Sequence, residues 1–192
     1  MMQTVARKVT YCLIQNGRIE QENEEKYIYG VEVVIEKLIT YGVLLILALS
    51  LKILVPSVLF VLFFALLRGY TGGFHARTYL GCFISTILMY LCCCQVIAPF
   101  LIKEKLYIIP GIIISSIFIL LFAPINNPDL NLSAKEIKRC KIGTKLVLML
   151  EVISIAMGIY SGISTVYIVF PFLGIVMCAV LLIVAKIIQR EV

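Results

Sequence analysis

Charge is scarce in this chain. Of its 192 residues, 15% are Asp, Glu, Lys or Arg, against about a quarter in an ordinary soluble domain. With 61% hydrophobic residues and a mean hydropathy of +1.05, there is too much apolar surface to hide in one small water-soluble core. The composition therefore requires an integral membrane protein. Histidine occurs once, as His75, and His75 with Cys82 supplies too few ligands for a structural zinc site. The cysteines (12, 82, 92, 93, 94, 140 and 178) have no disulfide-framework spacing. They lie mainly in or beside apolar runs, as reduced, buried small hydrophobes do. The first 30 residues hold no uninterrupted apolar core of signal-peptide length, and no internal repeat is visible. The net charge of +6 comes without a basic aromatic module, so no nucleic-acid partner is expected.

What the chain does have is long apolar runs. The expected architecture is all-α, a polytopic membrane protein of about six transmembrane helices preceded by an N-terminal amphipathic interfacial helix. In 2–15, Val5, Val9, Cys12 and Leu13 share one face opposite Gln3, Arg7 and Lys8, and Asn16-Gly17 offers a stop. "RIEQENEEKY" reads as a charged, solvated connection. The run 38–67 is too long for one span: thirty residues at 1.5 Å each give about 45 Å against a hydrocarbon core of about 30 Å. Lys52 and Pro56 mark a hairpin, giving helices at 32–51 and 54–67, the second short enough to be re-entrant. Further helices are expected at 79–102, 106–123, 146–160 and 164–186, with a polar loop, "APINNPDLNLSAKEIKRCKIGTK", before the fifth span. The whole of 1–192 is taken as one membrane domain, with 1–30 as its interfacial segment and 32–186 as its helical bundle.

Orientation follows from the basic residues. Six spans with both termini cytoplasmic put 14 of the 17 Lys and Arg inside, leaving Lys52, Lys103 and Lys105 outside. Fusing 38–67 into one span would split the N-terminal and 135–145 clusters between the two faces. The six-span reading sets His75 on the cytoplasmic side.

The stretch "RGYTGGFHARTYLGC", 68–82, is the chemically distinctive one. An imidazole can take a thiol's proton and stabilise the ion pair. The residue types alone leave two readings, a nucleophile and its base, or a loop histidine beside a packing cysteine. On one continuous helix, seven residues rise about 10.5 Å, beyond contact. If the third span begins near Thr78, His75 lies in the preceding loop, and Gly72-Gly73 lets it fold back over the first turn. Cys82 then sits where the helix dipole, Arg77 and Arg68 favour the thiolate. A site at the membrane boundary also receives a substrate that lies along the membrane.

Arg68, Gly72, Gly73, His75, Ala76 and Cys82, in the pattern "R…GGFHA……C", resemble the signature of the AgrB family of membrane cysteine peptidases. The later "FAPINNPDL……KEIKRCKI" resembles that family's loop between central helices. The resemblance covers essentially the whole chain. It implies a bacterial cell-membrane peptidase acting on an AgrD-type precursor peptide in quorum sensing, without a cofactor. Carried over by motif position, Cys82 is the nucleophile, His75 its base, and Arg68, Gly72 and Gly73 supporting residues. The implied reaction releases the precursor's C-terminal tail through a Cys82 thioester, then closes a thiolactone or lactone ring. Membrane lipids are expected neighbours, and a homodimer is admitted as a further partner.

Three other residues enter as candidates to orient or line the site. Glu151 could orient His75 or pair with Lys145, and Asn126 and Asn127 could orient the imidazole or cap their loop. The run Cys92-Cys93-Cys94 is read as packing, because adjacent helical positions point about 100° apart and cannot converge on one ion. The competing functions are a peptide transporter or export channel, and a non-catalytic membrane scaffold.

Overall fold

The protein is described by a computed structural model over residues 2–72, 78–125 and 133–190. The described residues form helices and no strand beyond one isolated bridge. In order they are α1 (Met2–Gln15), α2 (Glu24–Ser50), α3 (Leu54–Thr71), α4 (Tyr79–Cys92), a π-helical turn (Cys93–Ile97), α5 (Ala98–Lys103), α6 (Ile108–Phe122), α7 (Ala134–Tyr160) and α8 (Thr165–Arg190). Counting α4 to α5 as one and joining the short 3-10 turn Lys105–Tyr107 to α6, six helices among the described residues are long and apolar enough to cross a membrane. The protein is all-α with the architecture of a multi-pass membrane protein.

The hairpin between α2 and α3 falls at Lys52, the one non-glycine residue with positive φ among those described, at 57°. Pro56 follows in the first turn of α3, where a missing N–H costs nothing. The second span is therefore longer than the expected 54–67, reaching Thr71. Pro99 does not stop the third span. Its ring and missing N–H would disturb a regular helix one turn earlier, and there the chain widens into the π turn, with the Ala98 N–H donating to Cys93 O.

Two boundaries differ from expectation because charge was read as loop. α2 starts at Glu24, before the expected 32, with Glu24 and Glu25 in its first turn, where acidic side chains favour the helix dipole. α7 starts at Ala134, before the expected 146. Ser133 caps it: Ser133 Oγ accepts from the Glu136 N–H at 3.4 Å, and Glu136 Oε2 accepts from the Ser133 N–H at 2.8 Å. The basic run 135–145 is thus helical. Among the described side chains of α1, Ala6 and Thr10 are the buried ones, and this helix packs on α2. Val5, Val9 and Cys12, on the adjacent face, stay exposed.

The core is organised around α8. It is mostly buried, whereas the other spans turn much of their apolar surface outward. α3 packs closest to it, followed by α6. At Gly174 a Cβ would lie 3.0 Å from both Phe60 O and Phe64 N, so the α3 and α8 backbones meet so closely that any side chain there would press them apart. Cys178, one turn on, donates from Sγ to Phe64 O at 3.5 Å.

Candidate active site

The site is assembled where α3 ends and α4 begins. α3 stops at Thr71 because Gly72 takes φ 62° and ψ −145°, a region essentially reserved for glycine. The Gly72 carbonyl accepts from the Arg68 Nη1–H group and from Thr71 Oγ1 at 3.3 Å. Two side chains of the last turn of α3 therefore fix the direction in which the connection leaves.

That exit is also tied to the chain leaving α6. The Ile125 N–H donates to Thr71 O at 3.1 Å, and Gly72 and Ile125 form a parallel bridge. A Cβ on Gly72 would lie 2.7 Å from Ile125 O. Gly72 is needed twice over, for its dihedral angles and for this approach. The sequence reading assigned Gly72 to loop freedom, whereas here the residue is fixed in place.

At the other end of the connection, Thr78 adopts extended backbone and caps α4, its Oγ1 accepting from the Gly81 N–H at 3.2 Å. Cys82 is the fourth residue of α4, its N–H bonded to Thr78 O at 3.0 Å. Its side chain is half-buried, and its carbonyl accepts from Ser85 Oγ at 3.0 Å and Thr86 Oγ1 at 2.8 Å. Cys82 therefore lies at the positive end of a capped helix. The Arg68 guanidinium is within electrostatic reach of the Cys82 sulfur, and also of Cys178 and Tyr41. Arg68, in the last turn of α3, and Cys82, in the first turn of α4, thus stand on either side of the same connection. His75 and Gly73 of the motif, with Arg77, lie outside the described residues, as do Asn126 and Asn127.

Glu151 is not paired with Lys145. It lies on the inner stripe of α7 with Thr144, Leu148 and Ile155, whereas Lys145, six residues back on the same helix, is exposed. Neither carboxylate oxygen has a hydrogen-bond partner among the described residues. Its electrostatic neighbour is Cys178 on α8. Of the triple cysteine, Cys93 and Cys94 are buried in the core and Cys92 is exposed.

Sequence reasoning missed the Thr71–Ile125 strap and a buried hydroxyl pair, Ser57 Oγ to Tyr90 OH at 2.6 Å, joining α3 to α4. A serine and a tyrosine inside apolar runs are the only traces these leave in the sequence.

The chain matches the model of the accessory gene regulator B family over residues 6–190. Among curated proteins it is similar to the AgrB-like protein 2 of Clostridium perfringens (strain 13 / Type A), 26% identical over 180 residues, covering 85% of this chain and 82% of that protein. No solved structure matches it. A match spanning both the Arg68–Cys82 stretch and all six apolar helices places the protein in the accessory gene regulator system: the chain belongs to the AgrB family.

Proposed function

We propose that this protein, as a single membrane domain, is a cysteine endopeptidase that removes the C-terminal tail of an AgrD-type precursor and cyclises what remains. The observation that carries the proposal is the placement of Cys82 on the capped first turn of α4, within electrostatic reach of Arg68, at the end of the connection that contains His75. An interior filled by α8 and lined almost wholly by apolar side chains favours this reading over a peptide channel.

In the proposed reaction, His75 takes the Cys82 proton and the sulfur attacks the scissile carbonyl carbon. The C–N bond breaks and His75 returns the proton to the departing amine, leaving an acyl-Cys82 thioester. A Cys or Ser of the same peptide then attacks that carbonyl, the bond to Cys82 breaks, and the thiol is restored. Arg68 acts as a positioning residue, holding the Gly72 carbonyl from which the His75 connection departs. Because amide-to-thioester exchange is uphill, removal of the tail or ring draws the reaction forward. A water-poor site protects the acyl-enzyme from hydrolysis. By the distribution of basic residues, the site faces the cytoplasm at the inner leaflet.

Co-expression of a precursor with the wild type, Cys82→Ala or His75→Ala tests the proposal. Both variants should lose tail release entirely. Retained tail release in either would refute the assignment.

A further inference from the structure

The span that carries Cys82 is packed in two unlike halves. Between Tyr79 and Met89 no side chain of α4 is buried. From Tyr90 onward the same span buries Tyr90, Cys93, Cys94, Ala98 and Leu101. The neighbours change too: α4 lies on α2, whereas α5 packs on α8, the centre of the core. Between the halves stands the π turn at Cys93–Ile97. There the Cys93 N–H is shared between Met89 O and Tyr90 O, and the Ala98 N–H reaches back to Cys93 O. Pro99 follows with no N–H to give. Widened turns and prolines are where helices bend. Beside the turn a buried polar tie crosses to α3, Ser57 Oγ to Tyr90 OH at 2.6 Å, and the Tyr90 ring meets Phe60 edge-on at 5.9 Å. Toward Cys82 the inner side of α4 is underfilled. A void of about 20 Å³ there is lined by Thr86 and Met89 of α4 and by Tyr41, Leu44 and Val61 opposite.

We propose that residues 79–92 form an arm hinged at this π turn, which tilts to carry Cys82 onto the carbonyl of a bound peptide and tilts back to release product. The inference rests on the peptidase reading and gives its site a moving part. The lever is long enough to matter. Cys82 precedes Cys93 by 11 residues, about 16 Å along the axis, so a tilt of about 10° moves it by about 3 Å. Attack tolerates far less, since a misplacement of about 1 Å costs on the order of a hundredfold.

The packing makes this tilt cheap. Moving residues 79–89 uncovers no buried side chain, and the void beside Thr86 and Met89 gives the arm space to close into. Tyr90, held by Ser57, serves as the bearing. The far edge of the site does not travel with the arm, because Gly72 is bridged to Ile125. Cys82 therefore moves against a fixed edge. Parts that gate active sites come from the least packed regions of a fold, and such closure also keeps water from the acyl-enzyme.

The test uses the full-length protein in lipid nanodiscs, with the Cys82→Ala change so that the precursor binds without being cleaved. Genetically encoded spin labels, which leave the native cysteines alone, go at Leu80, Leu88 or Phe100. Each is paired in turn with a label at Leu66 of α3 and at Leu121 of α6, all exposed positions. Adding precursor should displace Leu80 by about 3 Å, Leu88 by about 1 Å and Phe100 not at all, the gradient of a lever pivoting at the turn. With Cys82 intact, Pro99→Ala supplies an N–H and lets the turn close toward regular helix. It should lower kcat by about tenfold or more while the unfolding temperature stays at or above wild type, which separates a stiffened hinge from a damaged fold. Equal displacements at the three positions, or none at any, would overturn the hinge and leave the peptidase standing. A wild-type kcat in Pro99→Ala would do the same. Cleavage by Cys82→Ala would instead overturn the peptidase reading, and with it the task assigned to the arm.

Discussion

Replacing Gly72 by alanine tests how the site is held. Two costs can be separated. The first is conformational: φ 62° with ψ −145° is a glycine region, and forcing an L-residue into it costs about 1–3 kcal/mol. The second is steric. The new Cβ would lie 2.7 Å from Ile125 O, a backbone atom that cannot swing aside as a side-chain tip can, and overpacking of this kind costs about 1–3 kcal/mol. Gly162 is the internal control. It has φ 68° and no atom within 4 Å of its Cβ position, so Gly162→Ala carries only the conformational cost. Gly72→Ala should therefore be the more destabilising of the two by about 1–3 kcal/mol, because it alone adds the contact between the two chain exits. The difference should appear first as faster amide exchange at Ile125, whose N–H is bonded to Thr71 O. At about 1.4 kcal/mol per tenfold, the Ile125 protection factor should fall roughly 5- to 150-fold further in Gly72→Ala than in Gly162→Ala. Displacing the connection by an ångström should also lower precursor cleavage by about a hundredfold. If the two variants show equal Ile125 exchange and equal cleavage, the strap does not hold the site.

Three further outcomes follow from the packing. Glu151→Gln keeps the shape of a buried side chain whose oxygens have no hydrogen-bond partner among the described residues, so its unfolding temperature in detergent should be equal to or above wild type; a fall of more than about 4 °C, near 1 kcal/mol or more for a chain this size, would mean that the carboxylate makes a needed contact. Ser57→Ala and Tyr90→Phe each break the buried 2.6 Å pair and should each cost about 1–3 kcal/mol; the double variant should cost clearly less than their sum, and strict additivity would show the pair is not coupled. Ser133→Ala removes the cap of α7 and should speed amide exchange over residues 134–137 by about tenfold, corresponding to about 1–1.5 kcal/mol; unchanged exchange would show that the helix start is held by other contacts.

Much of the fold was legible because membrane spans are written in hydropathy. The hairpin at Lys52 and the placement of Cys82 near a helix start could be read from residue types, and Thr78 caps α4 where such a residue should. The early starts of α2 and α7 were hidden by charge: glutamates and lysines were taken as loop, although Ser-Ala-Lys-Glu at 133–136 is itself a capping signature. Starting that span at 146 also cut Thr144 from the stripe it shares with Glu151, concealing which way the carboxylate points. The Gly72–Ile125 strap and the Ser57–Tyr90 pair join residues far apart in the chain. No local pattern specifies them, since they arise only when the spans pack around α8.

The central claim is that Cys82 forms a covalent bond to the peptide. Intact-protein mass spectrometry of purified enzyme quenched in acid during turnover measures it directly. The account predicts a mass increase equal to the acylated precursor fragment, mapped to Cys82, absent from His75→Ala and discharged by hydroxylamine as a thioester should be. Rapid tail release with Cys82 unmodified at every time point, and still open to alkylation, would contradict it.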